Sequence, residues 1–433
     1  MKRRFAAVEH GLVSSETPVS NAAWDRLMRS AARLPGDFLR RTGRGVVVGG
    51  YVGVVDLGWC QLEILPKGTA ELSADDLRRF LFDLLDRAGL VPRPLISRTA
   101  VASGRHHLLQ VLISSFSSQL HRDLLLGVPR RYHIREERLS QIKGKIRFSA
   151  LATSLPSERH VTPIRHAPLQ FDNGLNRVLR ALGTALRDAA ESRQDIMTLD
   201  HCDRMLGAAR IISLHHLRPH RVRLSRQEDR WRPYVDLAVL IRRGQAPIPT
   251  STGEAKGFGL LFTLDDVFER LIRRTLASSP PLGTKLSLRP VRPRLLHSVS
   301  TGVASLSLRP DLLLTDGGGH PILVADAKWK QLPSRSGSHG LSPTDVYQVA
   351  TYMAAHSVDR GLLLFPEAAW MREGGRSSWR NRFRLAGGQG ELTVGSVDVF
   401  GLASGDSQRR AHAVERLHEL VLAASQPAVD GLV

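Results

Sequence analysis

Only two cysteines, Cys60 and Cys202, occur in 433 residues. That is too few for a disulfide framework and fits a reducing cytoplasm. No apolar run approaches the ~18 to 20 residues that span a bilayer, so the sequence predicts a soluble, cytoplasmic protein with no membrane partner. The start, Met1-Lys-Arg-Arg-Phe-Ala-Ala-Val-Glu9, is basic but has no apolar segment behind it, which argues against a secretory signal. No G-x-x-x-x-G-K-[ST] loop is present. Its absence excludes P-loop hydrolysis and predicts that the chain itself binds no NTP. Gly43-Arg-Gly45 lacks the third glycine of a dinucleotide fingerprint and runs into a strand pattern where a helix should open. Neither a G-x-S-x-G elbow nor a Cys-His pairing suggests covalent catalysis. Aromatic residues make up 6% of the chain and rarely interleave with basic runs, which argues against a dedicated platform for stacking single strands.

Acidic residues are also scarce: 41 Asp and Glu against 61 Lys and Arg, a net charge of +20. Such a balance points to a polyanionic partner, nucleic acid before anionic membrane. At roughly 100 to 200 residues per domain the length suggests about three domains. The fold class expected is mixed α+β and multidomain. Residues 1–95 read as a β-rich module. Gly45 to Gly58 and Cys60 to Lys67 alternate like paired strands around a Leu57-Gly58-Trp59 turn, and Leu72 to Ala88 reads as a helix capped by Ser73. Residues 96–253 read as mostly helical, with helices over Leu108 to Leu126 and from Gln170 to about Ser192. Within them Lys143, Lys145 and Arg147 alternate, so on a strand they would share one face as a candidate DNA phosphate-binding stripe. His106, His107, His215, His216 and His220 lack companions at zinc-ligand spacing. A stretch rich in Pro, Gly and Thr, Arg242 to Gly253, marks a boundary. Residues 254–433 then form an α/β domain on a mixed sheet.

The most informative stretch lies in that last domain. In Arg309-Pro-Asp-Leu-Leu-Leu-Thr-Asp-Gly-Gly-Gly-His-Pro-Ile-Leu-Val-Ala-Asp-Ala-Lys-Trp329, two apolar runs flank a Gly317-Gly318-Gly319-His320 turn and predict a hairpin. Centred on that turn, the register sets Asp311 opposite Asp326, with Cβ atoms roughly 5 Å apart. Two carboxylates facing each other among apolar strands repel unless one is protonated or a cation lies between them, and hard divalent ions such as Mg²⁺ prefer oxygen ligands. The carbonyl of Ala327 is a candidate further ligand. Lys328 shares a strand face with Asp326, where its ammonium can orient a water and steady phosphate charge. A polar loop from Gln331 to Pro343 leads to a helix over Asp345 to Ala355, capped by Thr344, on which Gln348 and Tyr352 share a face. Gly361 to Pro366 follows as a buried strand. Upstream, Leu264 to Leu276 reads as a helix whose Glu269 has two readings, an ion-pair partner of Arg273 or a third metal carboxylate.

The pattern Pro-Asp, spacer, Asp-x-Lys resembles the core of the PD-(D/E)XK nuclease superfamily. Beyond it, Leu62-Glu-Ile-Leu-Pro-Lys67, Gly127 to Tyr132, Ile142-Lys-Gly-Lys-Ile146, Phe171-Asp-Asn-Gly-Leu-Asn176 and Tyr347-Gln-Val-Ala-Thr-Tyr352 resemble landmarks of the McrC family, the nuclease subunit of McrBC-type modification-dependent restriction systems. The resemblance implies a restriction-endonuclease-like core, Mg²⁺-dependent cleavage of DNA by Asp311, Asp326, Lys328, Glu269 and Gln348, and a hexameric AAA+ NTPase partner whose hydrolysis the chain stimulates. The alternatives are a non-catalytic DNA-binding adaptor of an NTPase motor and a stand-alone metal-dependent nuclease.

Overall fold

The computed structural model describes the chain except residues 1–2, 16–17, 33, 35–37, 68–71, 92–107, 159, 215, 244–247, 251–252, 256–257, 288–292, 331, 333–340, 368–379, 387–389 and 428–433. His106, His107, His215 and most of the loop before Pro343 therefore lie outside the described residues. The chain divides into two compact units, one of residues 1–3, 54–61 and 92–260, the other of 4–53, 62–91 and 261–433.

At the start, β1 (Arg3–Val8) pairs antiparallel with β2 (Ser14–Ser15), Phe5 opposite Ser15. Helix α1 (Asn21–Ala31) follows, its first turn closed by the Ser20 hydroxyl accepting from the Ala23 amide. This helix has no counterpart in the sequence reading, although Ser20 stands before it as a capping residue and it buries Leu27, Ser30 and Ala31. The alternating run from Gly45 is not one strand. β3 (Leu39–Thr42) and β4 (Gly45–Val48) form their own hairpin, and the chain turns at Gly49 before β5 (Tyr51–Asp56) and β6 (Cys60–Leu65). Two adjacent glycines offer no side chain to hold a continuous pleat. The Leu57-Gly58-Trp59 turn is present, with Gly58 at φ +80° and the Leu57 amide donating to the Cys60 carbonyl at 2.9 Å. Helix α2 (Ala74–Arg87) begins after Ser73, which forms a reciprocal capping box with Asp76.

In the first unit α3 (Leu108–Leu125) precedes β7 (Arg135–Leu139), β8 (Lys145–Ile146) and β9 (Thr162–His166), with β9 central and antiparallel to both neighbours. This sheet departs from the mostly helical expectation, because its short, charged strands carry too little apolar alternation to read as β. β8 holds only Lys145 and Ile146. Gly144 sits at φ +82°, where a Cβ would meet the Arg165 carbonyl at 2.6 Å, and Arg147 leaves the strand to precede the short helix Phe148–Ala152. Lys143, Lys145 and Arg147 therefore do not share a strand face, and Arg147 pairs with Glu136 at 2.9 Å. Three further helices, α4 (Gly174–Ala189), α5 (Arg193–Met205) and α6 (Arg232–Arg243), complete the unit. Buried Asp195 accepts from Ser114 at 2.5 Å and Ser117 at 2.8 Å, tying α5 to α3.

The second unit contains α7 (Leu264–Ser278), started by Thr263, whose hydroxyl accepts from the Asp266 amide. Its six-stranded sheet uses β10 (Lys285–Leu286), β11 (Leu312–Thr315), β12 (Pro321–Ala327), β13 (Arg360–Pro366), β14 (Arg380–Arg384) and β15 (Glu391–Val397), in the order β10-β11-β12-β13-β15-β14. β12, β13 and β15 are parallel and the remaining pairs antiparallel. Between β12 and β13 runs α8 (Pro343–His356), whose cap is Ser342 rather than Thr344. Pro343 occupies the first turn, where a missing N–H costs nothing. Val349, Tyr352 and Met353 of α8 pack on Leu313, Val324, Leu363, Phe365 and Val394. Two more helices, α9 (Val399–Ala403) and α10 (Ser407–Ser425), follow. No helix among the described residues is long and apolar enough to cross a membrane.

Candidate active site

The hairpin of β11 and β12 fixes the two carboxylates. Leu312 pairs with Ala325, Leu313 with Val324 and Leu314 with Leu323, the register anticipated from the turn, before a bulge at Thr315. The turn is held by Asp316, which accepts from the amides of Gly319 and His320, while Gly319 takes φ +89°. One step beyond the last ladder pair stand Asp311 and Asp326. Asp311 Oδ2 accepts from the Ala327 amide at 2.9 Å. Asp326 is 1% exposed, on a strand whose neighbours Val324, Ala325 and Ala327 are buried.

Burial disfavours both charges. Asp311 is raised from its ordinary value chiefly by burial, with Glu269 adding to the rise and the Ala327 amide, Lys328 and Arg273 opposing it. Asp326 is raised to about 6, by burial first and then by the charge of Asp311. Lys328 Nζ lies 2.7 Å from Asp326 Oδ2, a close ion pair that favours the ionised carboxylate. Burial opposes the Lys328 charge too, yet Asp326, Asp311 and Asp345 outweigh it and hold the ammonium above its usual value. Lys328 is thus a cation at neutral pH.

Supporting contacts converge from three other elements. The Lys328 amide extends the parallel ladder, donating to the Leu364 carbonyl at 2.9 Å. Its ammonium donates to Gln348 Oε1 at 3.0 Å, and Gln348 Nε2 donates to Tyr352 Oη at 2.9 Å, so the face that Gln348 and Tyr352 share on α8 clamps the lysine. Glu269 accepts from Arg273 at 2.9 Å, and Arg273 also donates to the Asp311 carbonyl. The structure therefore brings Asp311, Asp326, Ala327, Lys328 and Gln348 together, with Glu269 close enough for its charge to act on Asp311 but engaged by Arg273. Among the described residues no three His, Cys, Asp or Glu side chains group as a metal site.

Two contacts escaped the sequence. The Trp329 amide donates to Asp265 Oδ1 at 3.0 Å, and its indole N–H to Glu9 Oε2 at 3.1 Å. Asp265 could have been suspected as a helix first-turn acid, but nothing local links Glu9 to a residue 320 positions away.

Burying Asp326 opposite a second carboxylate is costly even with Lys328 paired to it. Asp326, backed by Asp311 and the Ala327 carbonyl, suits a hard divalent ion, and Lys328 leaves a positive charge for an anionic substrate. Comparison with known proteins gives the family. A family model described as "McrBC 5-methylcytosine restriction system component" matches residues 46–366. No curated protein matches the chain. Among solved structures it resembles a chain of the refined half-complex from the tetradecameric assembly of Thermococcus gammatolerans McrB AAA+ hexamers with bound McrC. The identity is 17% and the TM-score 0.64, over 96% of this chain and 100% of that one. The Thermococcus gammatolerans McrBC complex also matches, at 20% identity and TM-score 0.49, over 63% of this chain and 87% of that one. With its strands, helices and two carboxylates in place and the family model spanning most of its length, the chain belongs to the McrBC 5-methylcytosine restriction system component family.

Proposed function

We propose that this chain is the nuclease subunit of a McrBC-like restriction complex: a Mg²⁺-dependent endonuclease that cleaves DNA phosphodiesters when an AAA+ NTPase ring engages it, and that stimulates the ring's hydrolysis. The observation that carries this reading is the cluster itself: Asp326, a buried carboxylate paired with Lys328 at 2.7 Å, stands opposite a second buried carboxylate, Asp311. Asp311, Asp326 and the Ala327 carbonyl would hold the cation, with Glu269 as a further carboxylate once freed from Arg273. When bound, the ion supplies Lewis-acid polarisation of a phosphoryl oxygen and a more acidic water. Lys328, already protonated and clamped by Gln348, orients the attacking water and stabilises charge developing on the phosphate. It does not serve as the resting base. Asp326→Ala and Lys328→Ala should each abolish cleavage of plasmid by the complex with NTP and Mg²⁺ while NTPase stimulation persists. Cleavage by both variants would refute the site. Cleavage that needs only Mg²⁺ would make the chain a stand-alone nuclease, and none under any condition would leave an adaptor.

A further inference from the structure

Two segments that the active site does not use meet in the first unit. Pro129 presents its carbonyl to Asn173 Nδ2 at 3.2 Å and Asn176 Nδ2 at 2.8 Å, and both asparagines are buried. Asn176 also donates to the Phe171 carbonyl at 2.8 Å. These bonds press the Gly127 to Tyr132 segment onto the turn before α4, where Tyr132 pairs with Leu169 and Arg131 with Gln170. The result is a concave pocket of about 600 Å³ whose lining includes Arg131, Tyr132, Arg135, Phe171, Arg177 and Arg210.

The charge of this pocket is unbalanced. Asp172 is shared by Arg177, at 2.6 Å, and Arg210, at 2.8 Å, and Arg131 pairs with Glu228 at 2.8 Å. Arg135 donates to the Gln170 side-chain oxygen, at 2.9 and 2.7 Å, rather than to a carboxylate, and Arg130 lies with its guanidinium 4.3 Å from the Phe171 ring centroid. Four guanidinium groups and one carboxylate, Asp172, are among the lining residues. Beside them Tyr132, 75% exposed, offers an unburied ring. Guanidinium groups in excess over carboxylates match phosphate oxygens, which can displace a neutral partner such as Gln170, and an exposed ring next to them matches the face of a base. An acidic protein segment would use the charges but not the ring.

We infer that this pocket binds the phosphate backbone of DNA, with Tyr132 against a base or sugar of an unpaired nucleotide. The inference rests on DNA being the substrate of the proposed nuclease, and it places a contact with that substrate outside the metal-binding carboxylates. Arg135 and Arg210 carry the phosphate contact, since one lacks a carboxylate partner and the other is held at the pocket by a shared one. Asn173 and Asn176 act on the pocket's shape alone.

The test is fluorescence anisotropy of the full chain with labelled duplex and single-stranded DNA, in EDTA and over a salt series. Arg135→Ala combined with Arg210→Ala should weaken binding about tenfold and lower the slope of log affinity against log salt by roughly 1 to 2. Tyr132→Ala should weaken single-strand binding several-fold and duplex binding little. Arg409→Ala combined with Arg410→Ala, a charge-matched change on α10, should leave both affinities in place. Unchanged affinity and slope in the arginine double variant would overturn the inference, as would intact DNA binding combined with lost capture of the NTPase, which would make this a protein-docking pocket. Because EDTA removes cleavage from the measurement, the two readings fail separately. If Asp326→Ala still cuts but the double variant binds poorly, the nuclease site is wrong and the pocket stands.

Discussion

Replacing Asp326 by Asn should stabilise the metal-free protein while destroying its proposed activity. The shift from an ordinary 3.8 to about 6 amounts to about 3 kcal/mol of opposition to the ionised form, at about 1.4 kcal/mol per decade. An amide of the same shape removes the charge but leaves its own polar atoms buried and Lys328 without its ion pair, so the expected net gain is about 1 to 2 kcal/mol at pH 8. The sign follows from linkage. A carboxyl raised on folding binds more protons folded than unfolded, so its contribution is fully present below the unfolded value and is lost as pH rises through about 6. The advantage of Asp326→Asn should therefore be present at pH 8 and nearly vanish at pH 4.5. Denaturant melts in EDTA at the two pH values measure it. Saturating Mg²⁺ should narrow the gap at pH 8 by stabilising only the wild type. A variant less stable than wild type in EDTA at pH 8, or equal stabilisation of both by Mg²⁺, would refute the claim that Asp326 is a buried charge that Lys328 compensates only in part.

Gln348→Ala releases the Lys328 ammonium and should lower kcat about tenfold with little change in KM, read by steady-state cleavage; a change confined to KM would make Gln348 a substrate contact. Glu269→Ala should raise the Mg²⁺ concentration for half-maximal cleavage severalfold if the carboxylate joins the metal, and leave it unchanged if Arg273 is its only partner. Gly361→Ala places a Cβ 2.6 Å from Met353 Sδ and 2.8 Å from Val349 Cγ1. It should cost about 1 to 3 kcal/mol in a denaturant melt.

The candidate site was legible because its parts are local in sequence. A tight turn with apolar flanks sets register, register sets which residues face each other, and two facing carboxylates need an explanation that the sequence alone can demand. The core helices α2, α3, α7 and α8 showed themselves by caps and spacing. Most of what stayed hidden had weak local signals. α1, capped by Ser20, is the exception, while the charged strands β7 and β8 gain their β character from pairing with β9. The Glu9–Trp329 contact joins the turn after β1 to the residue after Lys328, a link that only the fold creates.

That link bears on how the site keeps its geometry. Lys328 is held at its amide by Leu364 and at its ammonium by Gln348, and Trp329 is pinned by Asp265 and Glu9. Three elements and the turn after β1 thus fix two consecutive residues just past the end of a buried strand. Burial pushes the Glu9 carboxyl up, although the Trp329 indole favours its ionised form. Burial and the nearness of Asp311 and Asp326 disfavour ionising both, and a strand end free to fray would separate them and undo the proposed cation site. Anchoring on both sides of the peptide makes that escape costly. Such redundancy lets a fold carry a cluster of unfavourable charges, because their cost is offset by contacts outside it.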